Sequence, residues 1–311
     1  MKTIDTEHYI TSYLGRFSIK QMIAIPMVAL LVSLIILGWS YYSTGSPVEL
    51  GVEFTGGTIV TLESPDSYSS VQQEFASRFP DTPPISARDA GGGRVLLQFG
   101  PMDISQQLEL NKYISSNYGQ DVYLKQMSAL YGTNLQQSAI KAVFFAFIGM
   151  AIIVYFIFKS IVPSGAVVLS AFSDIIIAAT LMNLFNISLS LGTVAALLML
   201  IGYSVDSDIL LTTRVLKRRG TTDEKLRAAM KTGLTMTSTT LAAIFVLFVV
   251  STFAHFVTSF SRIDIISDIS IVLLLGLITD LMNTWMLNAG ILKWYTSRDS
   301  STRKKKRGRK K

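Results

Sequence analysis

Six stretches of this 311-residue chain are apolar for long enough to cross a lipid bilayer as helices, and no other feature restricts its fold as much. A hydrocarbon core of ~30 Å takes about 20 helical residues. Lipid offers no hydrogen bonds, so each spanning segment has to satisfy its own backbone, and a helix does so. The runs fall near 21–41, 138–158, 162–184, 189–211, 233–254 and 265–292. The links at 159–162 and 185–188 are very short, so the spans they join must run antiparallel and side by side. The first run goes on from Ile23 to Trp39 with no small-residue cleavage site after it, which reads as a permanent span rather than a signal peptide. A hydrophobic fraction of 50%, a charged fraction of 16% and a mean hydropathy of +0.43 agree with a membrane protein.

Charge sidedness orients the spans. His8, Arg16 and Lys20 precede the first, Lys159 follows the second, and Arg214, Lys217, Arg218, Arg219, Lys225, Arg227 and Lys231 fill the loop after the fourth. The tail 303–311, RKKKRGRKK, holds eight basic residues, and without them the net charge of +7 would fall to about −1. With six spans all these groups share one side, so both termini are expected in the cytoplasm; Lys141 and Arg262 are the exceptions. The tail reads as a tether to anionic lipid headgroups, with a contact to ribosomal RNA phosphates as the second reading.

Between the first two spans the long apolar runs give way to short alternating ones. GVEFTGGTIVTLE (51–63) reads as a strand, with Gly56 and Gly57 at a bulge or tight crossing. A helix over 67–79 follows, with Val71, Phe75 and Phe79 on one face. PISARDA (84–90) and RVLLQFG (94–100) form a hairpin around the glycines at 91–93. A second helix runs over 103–119, capped by Asp103 and stopped at Gly119, and DVYLKQM (121–127) is the last strand. The order βαββαβ is that of a ferredoxin-like sandwich. The expected organisation is a cytoplasmic N-terminus (1–20), a first transmembrane helix (21–41), an extracytoplasmic α+β ferredoxin-like domain (42–137), a five-helix transmembrane bundle (138–292) and a basic cytoplasmic tail (293–311).

These residues resemble a known family. The first span, G-V-E-F-T-G-G-T at 51–58, the inserted ferredoxin-like domain, the lead-in ALYGTNLQQSAIKAV at 129–143 and G-Y-S-V-D in the fourth span are similar to SecF, of the SecD–SecF accessory complex of protein export, in the resistance-nodulation-division superfamily. DILLTTRVLKRRG (208–220) and DLMNTWMLNAGIL (280–292) resemble its archaeal branch. Bacterial members read G-Y-S-x-N-D-T in the fourth span; here the acids Asp206 and Asp208 sit one residue either side of that aspartate, so bacterial proton-carrying positions do not transfer directly. The resemblance implies SecD and the Sec translocation channel as partners, an exported unfolded polypeptide as client, and the proton motive force as driver.

Ionisable groups inside spans are functional candidates. Four aspartates qualify as proton-relay candidates: Asp206, Asp280, Asp174 and Asp208, with Ser204, Asn283, Thr284 and Asn288 as supporting polar groups. Asp206 and Asp208 are two residues, or roughly 200°, apart on a helix. We expect Asp206 to point inward and Asp208 to pair with Arg214 or Lys217 at the helix end. Asp280, Asn283, Thr284 and Asn288 fall within an arc of about 140°, with Gly276 at its edge where another helix could approach closely. The competing reading for every one of these groups is packing glue between helices, in a structural or assembly module of the translocon without ion flux. A small-molecule efflux subunit is a third reading.

Bond-making chemistry has no visible apparatus. Cysteine is absent, the two histidines His8 and His255 lie far apart, and no P-loop, GxSxG or HExxH occurs. No enzyme activity, metal or cofactor is expected; work done by such a chain would draw on an ion gradient.

Overall fold

The computed structural model describes residues 6–91, 93–119, 122–253 and 264–308. The side chains of the basic tail, with His8, His255 and Arg262, lie outside the described residues. A short helix α1 (Thr6–Arg16) precedes α2 (Ile19–Thr44), which starts at a capping box formed by Ser18 and Gln21 and ends at Gly45 with φ +79°. Such boxes satisfy two otherwise orphaned amides at once. Then come α3 (Val52–Thr55), β1 (Gly57–Glu63), α4 (Tyr68–Arg78), β2 (Pro84–Gly91), β3 (Arg94–Phe99), α5 (Ile104–Asn117) and β4 (Tyr123–Met127). Five further long helical segments complete the chain: α6 (Ala129–Phe158), α7 (Ile161–Leu184), α8 (Leu191–Lys217), α9 (Thr222–Phe253), and α10 (Asp264–Met282), which continues through a π-helix (Asn283–Asn288) into α11 (Ala289–Gly308).

Among the described residues six helices are long and apolar enough to cross a membrane, and each contains most of one of the expected runs. Several extend into polar flanks the hydropathy pattern did not include: α6 takes in the lead-in 129–137 and α9 begins at Thr222. The central α7 and α8 are half buried within the bundle, whereas α6 and α9 present most of their surface outward. That outward surface is apolar, with Phe144, Phe145, Ile152, Phe245 and Val250 all exposed, as lipid requires.

The four strands form one antiparallel sheet in the order β2-β3-β1-β4, the split βαβ arrangement. Alternation sends Val60, Leu62, Leu97 and Phe99 to one face, where Phe75 of α4 and Leu110 of α5 seal the core. The expected strand over 51–63 is corrected at its start: 52–55 form α3, and the strand begins at Gly57. The two glycines are what the turn between them needs. Gly56 has φ +75° and Gly57 φ +135°, and a Cβ on Gly57 would strike the Phe99 carbonyl oxygen. α6 is equally close to α3: a Cβ on Gly132 would lie 2.6 Å from the Phe54 carbonyl oxygen.

The sheet's other face, with Ile59, Thr61, Leu96 and Gln98, looks across a cleft of about 790 Å³ toward Asn186, Ser188 and Asp268 at the end of the bundle. The sheet domain is therefore not packed flat on the helices; it stands on the segment 47–56 and on the start of α6.

Candidate functional site

The buried polar groups of the bundle collect where α7, α8 and the π-helix meet. Asp174 of α7, Asp208 of α8 and Asp280 of α10 are at most 1% exposed. Asp174 is held on both oxygens: the Ser204 hydroxyl donates to Oδ2 at 2.6 Å and Asn283 Nδ2 donates to Oδ1 at 2.7 Å. Asp208 Oδ1 accepts from Asn288 Nδ2 at 2.8 Å and from the Thr284 hydroxyl at 2.9 Å. Thr284 also lies 3.0 Å from Asp280 Oδ1. Its single hydroxyl hydrogen can serve only one of these two acids at a time.

Local geometry explains how four different segments converge here. On α8, Leu200, Ser204, Asp208 and Thr212 recur every fourth residue and form one buried stripe. α10 reaches this stripe closely because Gly276 has no side chain; a Cβ there would overlap Leu200. Beyond Met282 the helix widens into π geometry, a winding found frequently at functional sites. All six residues from Asn283 to Asn288 are buried as a result. The segment is held from the far side by Trp285, whose ring occupies the space above Gly233 of α9.

The expected orientation of the fourth span is reversed. Asp206 is exposed and lines an open hollow with Arg214, Lys217 and Arg218, while Asp208 is fully buried. The reason is the stripe: the face of α8 that meets α7 and α10 is set by Leu200 and Ser204, and Asp208 lies one turn beyond Ser204. Asp206 belongs to the opposite face with Gly202, toward the basic end of the helix. The role assigned to Asp208 as a neighbour of basic residues thus falls to Asp206.

The remaining candidates meet as a group. Asp174 is bonded to Ser204 and Asn283, Asp208 to Thr284 and Asn288, and Thr284 to Asp280; Ser204 also stands beside Asp280 and brings the two groups together, while Asp206 stands outside them. Sequence reasoning missed Ser170 and Ser173, both fully buried on α7, and Thr212, which lies 3.5 Å from Asn288 Nδ2. Ser170 stands beside Asp208, and Ser207 beside Asp280. A period-four count along α7 and α8 would have found Ser170 with Asp174, and Ser204 with Asp208 and Thr212. Among the described residues no cluster of His, Cys, Asp or Glu has metal-binding geometry.

Six membrane-length helices among the described residues, a ferredoxin-like insertion after the first, and a carboxylate cluster inside the bundle define a polytopic membrane protein with buried acids between its helices. The family model described as "Protein export membrane protein SecD/SecF, C-terminal" matches residues 109–298. The chain is 49% identical over 286 residues to the protein-export membrane protein SecF of Methanolacinia petrolearia, covering 92% of this chain and 96% of that one. It is 42% identical over 280 residues to the SecF of Haloferax volcanii, covering 90% and 93%. The chain belongs to the SecF family of protein-export membrane proteins. Its fold is also similar to the crystal structure of SecDF, a translocon-associated membrane protein from Thermus thermophilus, with a TM-score of 0.70 and 18% identity. That match covers 93% of this chain and 38% of the SecDF chain.

Proposed function

We propose that this chain is the SecF half of a SecD–SecF complex that assists protein export by moving protons through the cluster of Asp174, Asp208 and Asp280. The sheet domain, residues 42–137, lies on the extracytoplasmic side, where it meets the exported polypeptide as it leaves the Sec channel. Both termini lie in the cytoplasm, and the basic tail rests on anionic headgroups. The chain covers little more than a third of the SecDF structure it resembles, which is consistent with a second six-span unit, SecD, as its partner.

The observation that carries the reading is Thr284. One hydroxyl set between two buried acids from different helices can reverse its hydrogen bond when a proton changes sides. Loading and unloading such a site alters which helices are tied together, and that is the element a gradient-driven cycle needs. Asp206, on the outer face of α8, faces the surroundings of the bundle and takes no part in this exchange.

The packing reading has its own support in Asp174, whose two oxygens are both satisfied by neutral donors. The two readings separate on Asp208→Asn and Asp280→Asn in the native host, with export measured in energised membranes and after the proton gradient is collapsed. Asparagine keeps the shape and cannot ionise. Loss of the gradient-dependent part of export in both variants, with Asp206→Asn close to wild type, supports the relay. Full gradient-dependent export in both variants sinks it and leaves the cluster as packing. Co-purification from native membranes tests the partner: a second six-span protein should accompany the chain.

A further inference from the structure

The sheet domain is joined covalently to the ends of α2 and α6, and neither helix carries a buried acid. Two of the three acids lie instead on the α7–α8 hairpin: Asp174, nine residues before Asn183, and Asp208, eighteen after Ser190. At 1.5 Å per residue these acids are ~14 Å and ~27 Å along rigid helices from the hairpin loop. The loop in turn grips the segment that leads into the domain. Leu50 and Leu189 form a parallel bridge: the Leu189 N–H donates to the Glu49 carbonyl and the Gly51 N–H donates to the Leu189 carbonyl, both at 2.7 Å. Asn183, in the last turn of α7, closes the grip with both ends of its amide. Its Nδ2 donates to the Pro47 carbonyl at 2.7 Å, and its Oδ1 accepts from the Glu49 N–H at 3.3 Å.

The loop is itself stiff. Asn186 adopts φ +53°, the Ile187 N–H donates to the Met182 carbonyl at 2.8 Å, and Ser190 begins α8 with a capping box. On the domain side, Gly51 allows the close approach, since a Cβ would lie 2.9 Å from the Leu189 carbonyl oxygen. From there α3 leads directly into β1, and Glu53 of α3 is paired with Lys125 of β4 at 2.7 Å. A path therefore runs from the acid-bearing hairpin through the Leu50–Leu189 bridge and the short helix α3 to the inner strand β1, and by the Glu53–Lys125 pair to the edge strand β4.

We infer that Asn183 and the Leu50–Leu189 bridge form a clasp through which a change at the acid cluster moves the sheet domain, with Asn183 as the positioning residue. This rests on the reading of the cluster as a proton site. The domain's covalent tethers carry no acid, and its free face is separated from the bundle by the cleft, so a tilt of α7 against α8 reaches the domain by way of this clasp. Neutral packing at residues 183–189 would hold the loop in place; backbone bonds running both ways and a two-ended amide fix direction as well.

The native chain has no cysteine, so labels can be placed at will. Ser116 on α5 and Arg219 at the far end of the bundle are both exposed. Spin labels on Ser116→Cys and Arg219→Cys, in the full chain in lipid nanodiscs, report the distance between domain and bundle by pulsed electron resonance. Asp208→Asn, which fixes one acid in its uncharged form, should shift that distance when Asn183 is intact. The shift should vanish with Asn183→Ala and survive in part with Asn183→Asp, which keeps the acceptor for Glu49 and loses the donor to Pro47. A shift that persists in Asn183→Ala overturns the clasp and leaves the proton reading standing. No shift with Asn183 intact overturns the proton reading, and the clasp's role with it. Equal elution and thermal unfolding of the Asn183→Ala and wild-type proteins exclude misfolding as the cause of a lost shift.

Discussion

Glu53 and Asp208 are both buried carboxylates, one at the foot of the sheet domain and one in the helix bundle, and the chain treats them in opposite ways. Glu53 is given a cation, Lys125 Nζ, at 2.7 Å. Asp208, like Asp174 and Asp280, is given only neutral hydroxyl and amide donors among the described residues. A carboxylate beside a lysine has an opposite charge to face. One surrounded by groups that can both give and accept hydrogen bonds is accommodated with or without its proton. The contrast extends to the whole of each region. The sheet domain hides Phe75, Phe99 and Leu97 from water, whereas the bundle hides Asp174, Asp208 and Asp280 and shows phenylalanine and isoleucine to lipid. Buried acid in the first region is paired with a cation; in the second it is met by neutral donors alone among the described residues.

The strongest way to test this division is to break the sheet domain and ask whether the bundle notices. Phe75 is fully buried and its ring meets those of Phe79, Phe99, Tyr113 and Tyr118. Phe75→Ala should cost about 3–5 kcal/mol, through lost transfer energy and the cavity left behind. Limited proteolysis should then cut within 57–127 while α6 to α10 stay protected. Simultaneous loss of both regions would show one cooperative unit instead of two.

Much of this was legible beforehand, for a reason the two regions share. Apolar runs of membrane length and strands of period two are strong signals because a single solvent boundary enforces each of them. The six helices and the four strands follow from that, as does the cap at Asp103. What one strand or helix cannot reveal is which of its faces meets a neighbour. Asp206 and Asp208 differ by half a turn, and only the packing of α8 on α7 and α10, set by Leu200, Ser204 and Gly276, decides between them. The residues 52–55 read as strand because Val52 and Phe54 alternate with polar neighbours, yet Gly51 and Gly56 close a single helical turn around them. The π-helix had no signal of its own: its polar residues suit an α-helical stripe, and the wider winding is imposed by partners on three other helices.

A smaller effect sharpens the comparison at Glu53 itself. Glu53→Gln removes the charge that Lys125 faces, and because the lysine side chain keeps 27% of its exposure, water can compensate in part. The expected loss is about 1.5–2 kcal/mol in domain stability, the lower end of what a hydrogen bond to a charged group contributes. If Asp174, Asp208 and Asp280 carry protons as proposed, gradient-dependent export should be retained at permissive temperature, since the pair lies outside that cluster. Thermal unfolding of the two proteins, followed by export at two temperatures, checks both halves. An export defect as severe as that of Asp208→Asn, with the domain still folded, would mean that the charge on Glu53 takes part in the cycle and that the division between the two acids fails.

The mildest effect belongs to an acid that water surrounds. Asp103 caps α5, accepting from the Gln106 N–H at 2.8 Å and the Ser105 hydroxyl at 2.7 Å. The bond from the Gln106 backbone, then that from Ser105, hold its carboxyl below the ordinary value of 3.8. A group whose value is depressed in the folded state stabilises that state in its charged form. The contribution is therefore complete above pH 3.8 and disappears as the pH falls through the lower, folded value. Asp103→Ala should loosen the first turn of α5 at neutral pH, read as faster hydrogen exchange at the Gln106 amide, with the difference from wild type closing in strong acid. Asp103→Asn should keep the cap and lose the pH dependence, because asparagine caps as well as aspartate does and does not titrate. If the gap between Asp103→Ala and wild type instead stayed constant into acid, the neutral carboxyl would cap α5 equally well, and charge would do no more for this exposed acid than the hydroxyl and amide donors do for the buried ones.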